Sequence, residues 1–389
     1  MQGRSDRFNE IDLLRFIAAA SVLLFHYTFY CWLPSAENPF SSIGTFARYG
    51  YLGVRLFFII SGFVILMTAA RGSLRNFFVS RIVRLYPAFW ACCTITFLVT
   101  LGVLGAHRGS WTQYLVNMTM TSGFVGVPPI DGAYWSLFVE MRFYALVAVI
   151  LFLGRIERTE PILCGWLLIT IVLAFLAPST IIRVLQVTLI TSFAAYFIAG
   201  AAFYLISSQG LTVTRIIIVI VAWACGLAQA AQELPALSGQ YHATLSAVVV
   251  CSTISVFFVL MFFISTGRTG ALGRQKWVLA GALTYPLYLI HSKIGDLVIH
   301  ALFPVRYPFL MLCGMVAVAL TVAYGTHVLV ERRYGPKLKK TLNSLLDRLQ
   351  TGIGRDLPER KSIVGNDPPP HAISATLNAS APSCQKRPL

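Results

Sequence analysis

The sequence predicts an all-α polytopic membrane protein with about ten transmembrane helices and both termini in the cytoplasm. Three observations predict it. The 389 residues are 57% hydrophobic and 12% charged, with a mean hydropathy of +0.71, a balance that a soluble domain of this size does not carry. Apolar runs of roughly 17 to 25 residues recur along the chain, each long enough to cross a bilayer. The formal charge of +16, from 31 basic and 15 acidic residues, gathers just outside those runs. That placement is a topology signal, and it argues against nucleic acid as a partner.

The runs cover residues 11 to 33, 49 to 70, 82 to 106, 134 to 154, 162 to 178, 184 to 206, 213 to 231, 243 to 265, 278 to 302 and 309 to 330. The fifth is the shortest. With the amino terminus inside, the cytoplasmic segments hold seventeen Lys and Arg residues, while the opposite loops hold only Arg48, Arg108, Arg183 and Arg306. This asymmetry orients the chain. The first run is too long and too polar for a cleavable signal, and it lacks a small-residue cleavage site, so it reads as a permanent span. The eight cysteines show no C-x-x-C spacing and fall mostly within apolar runs. They read as small apolar filler, with no disulfide framework and no metal site.

Chemistry begins in the first run. Asp12, Arg15 and His26 lie on one helical stripe with Ala19 and Val22. Eleven residues at about 100° each bring Arg15 and His26 to within roughly 20° of one face, about 16 Å apart along the axis. Arg15 can be a snorkelling topology residue, and His26 can simply bond a backbone carbonyl. An imidazole in mid-membrane is also the group best suited to take a proton near neutral pH. The second run carries Ser61 and Gly62, which read first as a close-packing notch between helices. Arg81 and Arg84 open the third run, three residues apart, as a phosphate-binding fork or as ordinary positive-inside residues.

The fourth run places Trp135, Ser136, Glu140 and Tyr144 on one face, with Glu140 expected at a depth similar to that of His26. Glu140 is either a carboxylate stabilised by its helix N-terminus or the partner of a cation or proton carrier. In the ninth run Pro286 should kink a helix that also carries Tyr285, Tyr288 and His291, with His291 near mid-membrane. His107, His242, His300, His327 and His371 show no partner pattern and read as structural. The loop from 107 to 133 holds Trp111 and Tyr114 in an amphipathic stretch suited to the outer membrane surface. Residues 332–350 form a basic cytoplasmic segment, with a short amphipathic helix expected over 337 to 349. Residues 351–389, rich in Pro, Ser and Asn, read as a disordered cytoplasmic tail.

Taken in order, Arg15-x10-His26, the F-I-I-S-G-F of Phe58 to Phe63, Arg81-x-x-Arg84, Trp135-Ser136-Leu137-x-x-Glu140-x-x-Phe143-Tyr144 and Leu283-Thr284-Tyr285-Pro286-Leu287-Tyr288-Leu289-x-His291 resemble the acyltransferase 3 family of membrane O-acyltransferases. The resemblance covers residues 8–331. It implies a ten-helix domain in the bacterial inner membrane that moves acyl groups, usually acetyl from cytoplasmic acetyl-CoA, onto sugars of surface polysaccharides, lipopolysaccharide or related acceptors. Acetyl-CoA would be a co-substrate, with no permanently bound cofactor. The resemblance gives Arg15, Arg81 and Arg84 to the coenzyme A phosphates and His26 to the thioester, as general base or acyl carrier. Glu140 would orient the imidazole as a triad carboxylate does. Asp12, Ser61, Trp135, Ser136, Tyr144, Tyr285 and His291 would support them. A proton-coupled transporter or flippase would also place His, Glu and Arg within the membrane. Against that reading, the chain shows no inverted repeat and no paired broken spans.

Overall fold

The computed structural model describes residues 8–33, 38–104, 110–302, 304 and 306–355. Ten long helices form the body: α1 (Asn9–Thr28), α2 (Gly53–Ala70), α3 (Leu74–Leu104), α4 (Trp135–Phe152), α5 (Thr159–Phe175), α6 (Thr191–Gln209), α7 (Val213–Gln240), α8 (Ala247–Thr266), α9 (Val278–Leu302) and α10 (Pro308–Thr326). No strand occurs among the described residues. The chain divides after Asn343 into two units. The first holds all ten helices. The second contributes, among the described residues, only the end of α11 (Arg332–Arg355), where Leu345 and Leu349 share an exposed face.

Nine of the described helices are long and apolar enough to cross a membrane. The tenth expected span, α9, is a 25-residue helix of comparable length, but it carries Lys293, Asp296 and two histidines and falls short on hydropathy. Of its polar residues, His291 is buried where α9 packs against α1, while Lys293, Asp296 and His300 are partly exposed toward the end of the helix and pair with one another. Large apolar side chains such as Phe152, Phe175 and Val248 are exposed on the perimeter, where a bilayer covers them.

Helix α6 is the axle of the bundle. Residues Ala194 to Ile206 are buried on every side, as expected of a helix that is apolar all round. Its Gly200 meets the backbone of Ile59 on α2, and Gly62 of α2 meets the backbone of Phe197, so a Cβ at either position would strike main chain. The notch expected at Ser61 and Gly62 is therefore real, and its partner is α6. The Phe197 ring closes the crossing, with its centroid 4.9 Å from that of Phe58 and 4.4 Å from that of Phe143.

Several boundaries differ from the sequence expectation. Helix α3 starts at Leu74, eight residues early, because nothing between Leu74 and Tyr86 breaks a helix; Arg81 and Arg84 thus sit two turns inside it, on one helical face as expected. The sixth span starts at Thr191, after a separate surface helix Thr180–Thr188 and a left-handed residue at Ile190. After α10 the chain makes a π-helical turn, His327–Glu331, before entering α11, which reaches Arg355, five residues into the segment read as tail. The rest of that tail, His107 and Arg108 lie outside the described residues.

Candidate active site

The polar stripe of α1 meets two groups of side chains at two levels. One level is basic, at the end where α1 and α3 begin. The other is aromatic, at the end where α1 finishes.

At the aromatic level, His26 of α1 faces His291 of α9. The His26 Nδ1 lies 2.8 Å from the Val22 carbonyl and 3.3 Å from the His291 Nε2. The His291 Nδ1 lies 2.7 Å from the Tyr288 carbonyl. A carbonyl can only accept, so in the neutral rings each Nδ1 carries the hydrogen. His291 Nε2 then accepts, His26 Nδ1–H is shared between two acceptors, and the lone pair of His26 falls on Nε2. That nitrogen has no protein partner among the described residues.

The turn that precedes α4 braces this pair. Asp131 accepts hydrogen bonds from the backbone N–H groups of Ala133 and Lys293, both at 2.8 Å, and the Tyr134 hydroxyl donates to the Leu289 carbonyl at 3.2 Å. Leu289 and Lys293 are i and i+4 in α9, so the turn splices into the helix on either side of His291. The Ser136 and Tyr288 hydroxyls meet at 2.8 Å, and Tyr288 donates to the Ala133 carbonyl at 3.1 Å. A cavity of about 330 Å³ opens beside His26, with Tyr51, Arg55, Trp135, Glu233 and Tyr241 in its wall.

At the basic level, Glu140 Oε1 accepts from the Ser61 hydroxyl at 2.7 Å and the Tyr144 hydroxyl at 2.9 Å. Arg15 makes no hydrogen bond or ion pair among the described residues, and Arg84, Glu140, Tyr144 and Asp12 are the groups that act on it electrostatically. The Arg81 guanidinium donates to Thr68 Oγ1 at 3.2 Å and lies over the rings of Phe77 and Tyr144. The Arg84 guanidinium lies over the ring of Tyr285, whose hydroxyl donates to the Leu85 carbonyl at 3.3 Å. Arg84 also lines a larger cavity of about 910 Å³ shared with Thr68, Arg71, Arg332 and Lys339.

The expected set thus divides. Arg15, Arg84, Glu140, Tyr144, Ser61 and Arg81 cluster together; His26, His291, Trp135, Ser136 and Tyr288 cluster together. Glu140 does not touch His26. Trp135 shares the cavity wall with His26, and five residues at 1.5 Å each put Glu140 about 7 Å deeper along α4. The groups beside His26 Nδ1 are the Val22 carbonyl and the His291 imidazole. His327, read as structural, pairs with Glu331 at 2.7 Å and lines the basic cavity. The Arg55 and Glu233 pair, at 2.7 Å, was missed. An arginine six residues into the second apolar run was its available signal. Asp131 had none beyond being a carboxylate beside the fourth span.

Residues 8–328 match the model of an acyltransferase domain, acyltransferase 3. Nodulation protein 10 of Rhizobium leguminosarum bv. viciae is 30% identical over 168 residues, which are 38% of this chain and 45% of that protein. The chain thus spans under half the length of that relative. An O-acetyl transferase of Shigella phage Sf6 is 24% identical over 359 residues, 85% of this chain and 98% of that protein. No solved structure matches the chain.

Proposed function

Because the chain belongs to the acyltransferase 3 family, and is therefore a membrane acyltransferase, we propose that it transfers an acetyl group from acetyl-CoA to a hydroxyl of a surface glycan or related glycolipid, in the bacterial inner membrane. The phage relative, named an O-acetyl transferase, supports the acetyl group and the oxygen acceptor. The observation that carries the mechanism is the hydrogen-bond pattern of His26, which leaves its Nε2 without a protein partner among the described residues on a side chain that lines the aromatic cavity.

In this reading the basic end is cytoplasmic and the larger cavity takes the donor. Arg84, with Arg71, Arg332 and Lys339, meets the coenzyme A phosphates, for which guanidinium groups are suited donors. Arg15 and the Glu140 cluster border the path of the pantetheine arm, whose length suits the roughly 16 Å between Arg15 and His26. The acceptor hydroxyl enters from the aromatic side. His26 Nε2 takes its proton as the oxygen attacks the thioester carbonyl. The tetrahedral intermediate then collapses, breaking the C–S bond, and the departing thiolate recovers the proton from His26. The Val22 carbonyl and His291 share the Nδ1 hydrogen throughout, a positioning role that elsewhere belongs to a carboxylate.

Incubation of the purified protein with acetyl-labelled acetyl-CoA and a surface-glycan extract tests this. Label should enter the glycan, and His26→Ala should slow its entry at least about a hundredfold while acetyl-CoA still binds. Transfer that persists in a folded His26→Ala protein would move the chemistry elsewhere.

A further inference from the structure

The cavity beside His26 is small, at about 330 Å³. Small-molecule sites span roughly 300 to 1,000 Å³, so this one holds a single ring and leaves the rest of a polymer outside. Its wall is unevenly equipped. Tyr241 and Trp135 offer aromatic faces, which suit the C–H face of a saturated ring. Arg55 is almost wholly buried and spends its guanidinium on the Tyr196 hydroxyl and on Glu233 Oε2.

Glu233 is different. Its side chain is 36% exposed, and Oε1 has no partner among the described residues. An open carboxylate oxygen accepts hydroxyl hydrogens and repels another carboxylate. The Tyr51 hydroxyl, on the same wall, is buried without a hydrogen-bond partner. Such a group is costly, and a hydroxyl-bearing ligand would relieve it. The lining arginine is already matched in charge, so the cavity has no spare cation for an acidic ring.

We infer that this cavity seats one uncharged, hydroxyl-rich ring of the acceptor, with Glu233 Oε1 accepting its hydroxyl hydrogens, and that it turns away rings bearing a carboxylate. The inference rests on the acetyl-transfer reading and deepens it by naming which acceptors are admitted. His26 would act on whichever hydroxyl Glu233 does not hold.

The test uses the purified full-length protein in lipid nanodiscs with labelled acetyl-CoA and two probes, methyl glucoside and methyl glucuronide, which differ by one carboxylate. Transfer to the glucoside should exceed transfer to the glucuronide by at least about tenfold. Glu233→Gln, which keeps the shape, should narrow that ratio to about threefold or less. Should that variant fold poorly, Tyr51→Phe serves: KM for the glucoside should rise about 3- to 10-fold with acetyl-CoA affinity unchanged. Equal rates on the two probes in the unaltered protein would overturn the inference, as would acetylation of a long-chain alcohol with neither glycoside modified. So would acetyl-CoA consumption with no glycoside product. A protein that neither binds nor consumes acetyl-CoA would instead overturn the acetyl-transfer reading beneath it.

Discussion

Replacing His291 by Phe isolates the contribution of the imidazole pair. The substitution keeps a ring in the buried slot and removes the acceptor from His26 Nδ1. If His291 acts only by biasing the His26 tautomer, the loss is bounded by one neutral hydrogen bond. That bond is long, at 3.3 Å, and the Val22 carbonyl at 2.8 Å still holds the same hydrogen. A neutral hydrogen bond contributes about 0.5 to 1.5 kcal/mol, and its length puts this one toward the lower figure. The expected fall in kcat is therefore roughly 2- to 10-fold, far from the loss of the base itself. His291→Gln, which offers a carbonyl oxygen in its place, should recover part of it. The assay is transfer of labelled acetyl to glycan under saturating acetyl-CoA, with donor affinity and Tm measured on the same preparations. A His291→Phe protein with normal Tm and donor affinity but as inactive as His26→Ala would refute the reasoning, because the Val22 carbonyl should still fix the tautomer. An unchanged kcat would refute it from the other side.

His26→Ala itself should lower transfer by about 10²- to 10⁴-fold, the usual range for a general base, as read by label incorporation. Arg84→Ala should weaken binding of a non-hydrolysable acetyl-CoA analogue by about 1.5 to 3 kcal/mol, and Arg81→Ala by less, because Arg81 already donates to Thr68; calorimetric titration gives both. Gly200→Ala should lower the Tm in detergent through an overpacking cost of about 1 to 3 kcal/mol, with thermal unfolding followed by intrinsic fluorescence. Reporter fusions after Gly72 and after Lys340 should read cytoplasmic and one after Ser110 external; agreement makes α9 a true span, since nine crossings would put the termini on opposite sides.

The fold was legible because hydropathy is additive over a window: apolar runs announce helices whatever their neighbours, and only the ends moved. The charged helix α9 shows where this stops, since Lys293 and Asp296 lower the window average although they pair with each other, partly exposed, toward the end of the helix. The helical stripe of α1 was legible for a similar reason, as eleven residues return to one face regardless of tertiary structure. Pairing across helices was not. Glu140 and His26 were matched by depth estimated from each helix end, and an error of one and a half turns sufficed to exchange His291 for a carboxylate. Arg55 and Glu233 lie 178 residues apart and meet only because α2 and α7 flank the same helix.

The bare crossing of α2 on α6, Gly62 on the Phe197 backbone and Gly200 on the Ile59 backbone, also has a meaning for how this protein can change. Main chain bears on main chain there, with no side chain to absorb a displacement, so any shift of α6 reaches Ser61, and through it Glu140, undamped. The basic half of the site is in effect machined into the scaffold. Trp135 and Tyr241, by contrast, stand at helix ends and line the aromatic cavity, Trp135 partly exposed and Tyr241 packed among Phe25, Tyr30 and Tyr51. Altering those two side chains is the natural route to a new acceptor preference, whereas retuning the donor half would require rebuilding the axle.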